Sequence, residues 1–347
     1  MPLVLLLTAF LLAPAASAQV KVTAISVGGK GVQRTASVKY VRYGMPSKPP
    51  VELPEVAVGL SLSPGDQLYS VADGVVVEVV CGKAARMPLS NSFRIVVLPP
   101  PGPEHCCRIL LLSGTAYSQG TEPTTITSGE IILGSKHTQY GIQVSRDAGG
   151  RLDRTVFVYE GEVEVLSPQF RGSLTTGKQV AIDSAEPNVV EISREEIAAT
   201  ATIYAQVEVA KADLASGGQL TNRDSLFARL KELNEKVLAD PKNLDYRTEL
   251  ARTQSSIQLT NEARYHFDMA LALAPADNYV AFLREINAAG GKDASVSYAA
   301  RQGEFISVSR KESVLDAVVV DPEILRALKN RKTAWNSIKA TVPRNPR

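Results

Sequence analysis

The stretch Ser128–Leu166 limits the fold more than any other part of this 347-residue chain. It reads as a row of short β-strands turning at glycines. Thr155–Tyr159 alternates its side chains between two faces, Glu160-Gly161 supplies a turn, and Glu162-Val163-Glu164-Val165 alternates charge with apolar. The segment 155–166 is therefore expected to fold back as a hairpin with one face to bury and one to wet. It carries no set of groups suited to catalysis, so a scaffold or recognition domain is the first expectation.

The same texture extends from Val20 to about Ile192, rich in β-branched residues and punctuated by Gly and Pro at intervals of roughly 8–12 residues. Strands are expected at Val22–Val27, Ser37–Tyr43, Val56–Leu62, Gln67–Val71, Val75–Val80, Phe93–Leu98, Ile109–Leu112, Glu130–Leu133, Thr138–Val144, the 155–166 hairpin and Gln179–Ile182. Many short strands without intervening helices predict an all-β sandwich or barrel. Pro99-Pro100-Pro101-Gly102-Pro103 is a stiff loop, because proline cannot donate to a ladder.

Charge divides the chain unevenly. Residues 19–50 hold six Lys or Arg and no acid, and Lys48-Pro49-Pro50 is expected to separate them, as a basic arm, from the β-domain at 51–190. Lysines that guard edge strands account for such an arm. The β-domain itself is net acidic, which argues against nucleic acid as a partner, since phosphate contact needs clustered cations.

The N-terminus sets the expected compartment. Leu3–Leu12 is apolar, and Ala16-Ser17-Ala18 precedes Gln19, the layout of a secretory signal peptide over residues 1–18. The run is shorter than the ~20 apolar residues of a spanning helix. No Lys or Arg precedes it, and Gln19, not a cysteine, stands directly after the cleavage site. The mature chain is expected to be exported, periplasmic or extracellular, with no transmembrane segment.

Cys81, Cys106 and Cys107 all fall in the β-domain. In an oxidising compartment one disulfide joins Cys81 to one of the vicinal pair and leaves a thiol over. His105-Cys106-Cys107 invites a metal reading but lacks CxxC or HxxxH spacing, so no metal site and no cofactor are assigned. The other histidines, His137 and His266, stand apart. The sequence has no HExxH, GxSxG, GxxxxGK(S/T) or CxxC, and no catalytic residues are assigned. Glu162 and Glu164 share one face of a strand, and a solvated edge is their ordinary reading.

Around Ser193 the pattern becomes helical. Ser193-Arg194-Glu195-Glu196 reads as an N-cap with an acidic first turn, opening a helical run through Lys211. Leu226, Leu230, Leu233 and Val237 then mark an amphipathic helix ending at Asp240-Pro241. Leu244–Leu259 and Asn261–Ala274 form a further pair that stops at Pro275. Beyond the helical region at 191–290, residues 291–347 hold helix candidates at Lys311–Asp316 and Pro322–Ile338 and end in a tail.

Two resemblances follow from these residues. Leu62-Ser63-Pro64-Gly65-Asp66-Gln67-Leu68, Asp73-Gly74, Leu110–Tyr117 through Ser113-Gly114, Thr138–Val144, Val158–Val165 and Leu174 through Gly177-Lys178-Gln179-Val180 together resemble a FecR-type domain over residues 60–183. The family pattern usually has Gly before the threonine where this chain has His137. The interval from Pro241 to Pro275 is 34 residues, the tetratricopeptide period, and Leu250, Ala251, Ala263, Phe267, Ala270 and Pro275 fall where that repeat places its packing residues. These resemblances imply a multidomain β + α protein, a FecR-like sandwich or barrel followed by a TPR-like helical region. The implied function is that of an exported, non-enzymatic interaction or envelope scaffold module, with a protein partner on the helical repeats. The membrane-bound anti-sigma role is not carried over, because it needs a transmembrane helix before the β-domain. A cell-wall or polysaccharide-binding module is the alternative, with Tyr40, Tyr43, Tyr69, Tyr117 and Tyr140 as candidate contacts.

Overall fold

The computed structural model describes residues 20–42, 50–82, 85–101, 106–120, 123–135, 138–146 and 149–273. The expected signal peptide, Tyr43, His105, His137, Pro275 and the region 291–347 lie outside the described residues. The strands come first: β1 (Val20–Val27), β2 (Lys30–Gly31), β3 (Arg34–Thr35), β4 (Val38–Arg42), β5 (Val51–Leu53), β6 (Val56–Ala57), β7 (Ser61–Leu62), β8 (Asp66–Ser70) and β9 (Val75–Cys81). Then follow β10 (Ala85–Leu98), β11 (Cys107–Gly120), β12 (Thr124–Ser128), β13 (Ile131–Ser135), β14 (Thr138–Arg146), β15 (Leu152–Glu160), β16 (Glu162–Leu166), β17 (Arg171–Thr175), β18 (Lys178–Ala181) and β19 (Val189–Glu191). Helices close the described chain: α1 (Arg194–Ala215), α2 (Arg223–Ala239), α3 (Leu244–Ser256) and α4 (Thr260–Leu273). A large β-structure followed by helices is thus the architecture.

Apart from the small pair β3–β6, the strands form one closed sheet around a single apolar core. Its two walls share the long strands β10 and β11. The first wall runs β2–β1–β9, the N-terminal half of β10, the C-terminal half of β11, then β14–β15–β18–β19. The second runs β5–β4–β8, the C-terminal half of β10, the N-terminal half of β11, then β12–β13–β16–β17. The expected 155–166 hairpin does not form: the chain changes walls at Gly161, so β15 pairs with β14 and β18 while β16 pairs with β13 and β17. Side chains such as Ile25, Leu68, Met87, Phe93, Ile95 and Tyr140 fill the space between them.

The strands change walls at a corner with a clear local cause. The β10–β11 ladder shifts register between Ser90 and Arg94, and Asn91 and Ser92 both adopt positive φ. Opposite them Gly114 has φ +86°, and a Cβ there would stand 2.5 Å from Phe93 Cα and 2.6 Å from the Ser90 carbonyl oxygen. Only glycine allows the two backbones to approach this closely.

Within the segment that charge sets apart, the described residues 20–42 pair into the β-structure. β1 is an interior strand of the first wall, between β9 on one side and β2 and β7 on the other. Val20-Lys21-Val22 alternates, so the valines enter the core while Lys21 remains in solvent. The cations mark wet positions of a half-buried strand, not a detached segment.

The helices cover the outer face of the first wall. α1 begins at the N-cap Ser193, whose hydroxyl accepts from Glu196 N. It lies between the wall and α2, and small residues permit that fit. Ala24, Val76 and Val207 pack together, and a Cβ on Gly31 would meet the Ala210 carbonyl oxygen at 2.6 Å. On its other side, Ala205, Val209 and Ala212 meet Leu226, Leu230, Leu233 and Val237 of α2. Tyr117 lies beside Gly141, its direct cross-strand partner, and reaches Tyr204 of α1 at 6.1 Å between ring centroids.

Candidate functional site

The sheet and the helices meet through buried charge. Glu78 stands alone in the run Val-Val-Val-Glu-Val-Val-Cys of β9, where Val75, Val77 and Val79 face the core. Its own side points outward, under the helices, and is fully buried. A carboxylate buried there needs cations and donors. Arg86 of β10 donates Nε to Glu78 Oε2 at 2.8 Å and Nη1 to Gln119 Oε1 of β11 at 3.0 Å. Thr23 of β1 donates its hydroxyl to Glu78 Oε1 at 2.7 Å. Lys211 of α1 pairs with Glu78 and also with Glu262 of α4.

Glu208, one helical turn before Lys211, completes the network. Its Oε2 accepts from Asn234 Nδ2 of α2 at 2.9 Å, and its Oε1 from Gln254 Nε2 of α3 at 2.8 Å. Arg86 Nη1 lies 3.7 Å from the same Oε1, and Arg86 Nε lies 3.5 Å from Glu262 Oε1. One guanidinium thus faces three carboxyl groups, while its plane lies near the Tyr204 ring. Every helix contributes a polar side chain to this network.

The electrostatics follow from burial against pairing. Burial raises Glu262, but Lys211 and Arg86 outweigh it and hold the carboxyl down at about 2. Glu78 is likewise held low, with Arg86 and Lys211 outweighing its desolvation. Glu208 has weaker compensation, so burial raises it to about 7 despite Arg86 and Asn234. With Glu208 protonated, two carboxylates face two cations. His266 of α4 is buried, and neither ring nitrogen has a hydrogen-bond partner among the described residues. Burial, with Arg247 and Arg86 adding repulsion, drives it well below the ordinary imidazole range, so it is neutral.

Two further contacts fix the helices. Glu160, at the end of β15, accepts from Arg247 Nη2 of α3 at 2.5 Å and from the Tyr265 hydroxyl of α4 at 3.1 Å. The fully buried Arg247 also donates Nε to the Pro241 carbonyl. Near the start of α1, the Tyr159 hydroxyl donates to Glu196 Oε1 at 3.2 Å, and Thr200 shares both partners. Burial pushes the Glu196 carboxyl upward. Glu160 is therefore a buried anchor, whereas Glu162 and Glu164 lie in solvent as the strand alternation predicts.

The residues singled out in the sequence fall elsewhere. Cys81 and Cys107 are joined by a disulfide that ties the end of β9 in one wall to the start of β11 in the other. Cys106 is half-buried beside them, and the three Sγ atoms lie within 4.8 Å of one another. Leu250, Ala251, Ala263, Phe267 and Ala270 are all buried between and beneath α3 and α4. Sequence reasoning missed Glu78, Arg86, Glu208, Lys211 and Glu262. A lone acid within an apolar strand was the available signal for the first of them.

Among the described residues no helix is long and apolar enough to cross a membrane. Set against known proteins, the chain matches no family model and no curated protein.

Proposed function

We propose that this chain is an exported, non-enzymatic interaction or envelope scaffold module, a FecR-like β-domain carrying TPR-like helices. One observation carries the reading: the outer face of the second wall bears an exposed aliphatic strip. A cross-strand row runs Gln67–Val96–Leu110–Thr127–Ile132–Leu166 over six strands, aliphatic at Val96, Leu110, Ile132 and Leu166 and interrupted by buried Thr127. Ile132 and Leu166 are each 39% exposed, as is Leu112 two residues along β11 from Leu110. The helices make their main sheet contacts with β1, β2, β9, β10 and β15, on the opposite wall. Exposed aliphatic side chains flanked by charge, here Arg94 on one side and Glu164 and Arg171 on the other, are what a protein partner covers. The Cys81–Cys107 disulfide supports an oxidising compartment.

The alternative, glycan recognition, is favoured by one cluster on the same face. Arg94 stacks over Tyr69 at 5.6 Å and donates to Gln67 at 3.1 Å, an aromatic platform with polar neighbours. One experiment separates the two. The purified chain and an Ile132→Asp/Leu166→Asp variant are used as bait in envelope extract and sedimented with purified peptidoglycan. The proposal expects a stoichiometric protein bound to the native chain, at least tenfold less on the variant, and no sedimentation. Sedimentation abolished by Tyr69→Ala, with no protein captured, supports glycan binding and overturns the protein-partner reading.

A further inference from the structure

Four sulfurs converge at one corner of the core. Beside the Cys81–Cys107 disulfide lie Cys106 Sγ, within 4.8 Å of both, and Met87 Sδ, 4.0 Å from Cys81 Sγ. Cys81, Met87 and Cys107 are buried, while Cys106 is half-buried and gives the corner one side toward solvent. A disulfide uses two of these sulfurs. The other two sit on different strands or loop positions and meet it only through the fold.

We propose that the reduced chain binds one Cu(I) ion at this corner, held by Cys81, Cys106 and Cys107 with Met87 as a neutral fourth donor. The donor set decides the ion. Thiolates and a thioether are soft, polarizable ligands, and they select a soft monovalent ion over hard oxygen-seeking cations. A thioether adds little for Zn(II), whose sites use thiolate, imidazole and carboxylate. The spacing also fits. Sulfurs sharing one ion at about 2.3 Å in a trigonal arrangement stand about 4 Å apart, the scale of the Cys81–Met87 separation.

The disulfide makes the site conditional on redox state. A dithiol reductant opens it by two-electron transfer: the Cys81–Cys107 bond breaks, each sulfur gains a proton, and the reductant's sulfurs join in their own disulfide. Cu(I) then displaces thiol protons to water as it binds. In the oxidised chain Cys81 and Cys107 are committed to each other, and the site is closed. Sequence spacing hides this set, because no CxxC is present and Met87 joins it only across the β9–β10 ladder.

The test uses the full chain, reduced with a dithiol and freed of it without oxygen. Titration into the coloured Cu(I)–bicinchoninate chelate counts the copper withdrawn. The reduced chain is expected to withdraw one equivalent and the oxidised chain none. Cys106→Ser, which retains the disulfide cysteines, weakens binding on the order of a hundredfold, and Met87→Leu on the order of tenfold. Copper also raises the Tm of the reduced chain, and Zn(II) does so less. The proposal is overturned if the reduced chain takes no copper, or stays unfolded with copper present. It is equally overturned if neither substitution changes the affinity, which marks scattered thiols on an opened chain, or if Zn(II) stabilises as well as Cu(I).

Discussion

Glu208 and His266 face the same buried network with opposite proton preferences. Glu208 is raised from 4.5 to about 7, so the folded chain keeps a proton that the unfolded chain releases between those values. Its stabilisation is complete below about pH 4.5 and is lost as pH rises to about 7. His266 is held well below 6.5, so its contribution is present above 6.5 and is lost on acidification. The groups facing it include Arg247, Arg86 and Glu262, and those facing Glu208 include Arg86, Asn234, Gln254 and Glu262. Below 4.5 the depressed Glu78 and Glu262 join His266 in favouring unfolding by acid. Urea midpoints measured across pH should show this in difference curves against the native chain. Glu208→Gln should gain about 1.4 kcal/mol per pH unit between 4.5 and 7, and His266→Gln should lose a similar amount per unit as pH rises toward 6.5. A level difference curve for either variant contradicts the assignment. Glu78 was legible as an acid without company in an apolar strand. Glu208 and His266 were not, because their burial depends on helices whose packing the local pattern does not reveal.

At the scale of elements, the corner in β10 and β11 is where sequence and structure part most clearly. Only Phe93–Leu98 and Ile109–Leu112 read as strands, yet both elements run for 14 residues. Pro88, Asn91-Ser92 and Gly114 look like breakers in the sequence. Within the fold, Pro88 pairs opposite Glu78, and the other three make the turn from one wall to the next. Gly114→Ala therefore brings a Cβ against the Phe93 backbone at an unfavourable φ. A loss of about 2–4 kcal/mol in urea unfolding is expected, with the m-value kept. A loss under about 0.5 kcal/mol would mean that the corner is loose. β12, β17 and β19 were also missed, being short and dominated by Thr, Ser, Gly or exposed positions. The helices were legible because three- and four-residue apolar spacing persists over several turns. Their ends moved by a few residues, as α1 runs on to Ala215 and α3 stops at Ser256.

For the whole molecule, the order of a β-structure followed by helices was readable from composition and periodicity, whereas the way the two parts join was not. Charge counting detached residues 19–50, although β1 and β4 belong to the sheet. The joint itself is made of residues distant in sequence: Glu78, Glu160, Arg86, Glu208, Arg247 and Glu262 come from six elements. This buried network is expected to make sheet and helices one cooperative body. Pulse-labelling hydrogen exchange across a urea series reads the peptides of β9–β10 and of α1–α4 separately. One shared midpoint is expected for both sets, and Arg86→Leu lowers both together at a cost of about 3–5 kcal/mol in stability, since that change leaves buried carboxylates without their cation. Helix peptides that lose protection at a lower urea concentration than the sheet in the native chain would contradict it.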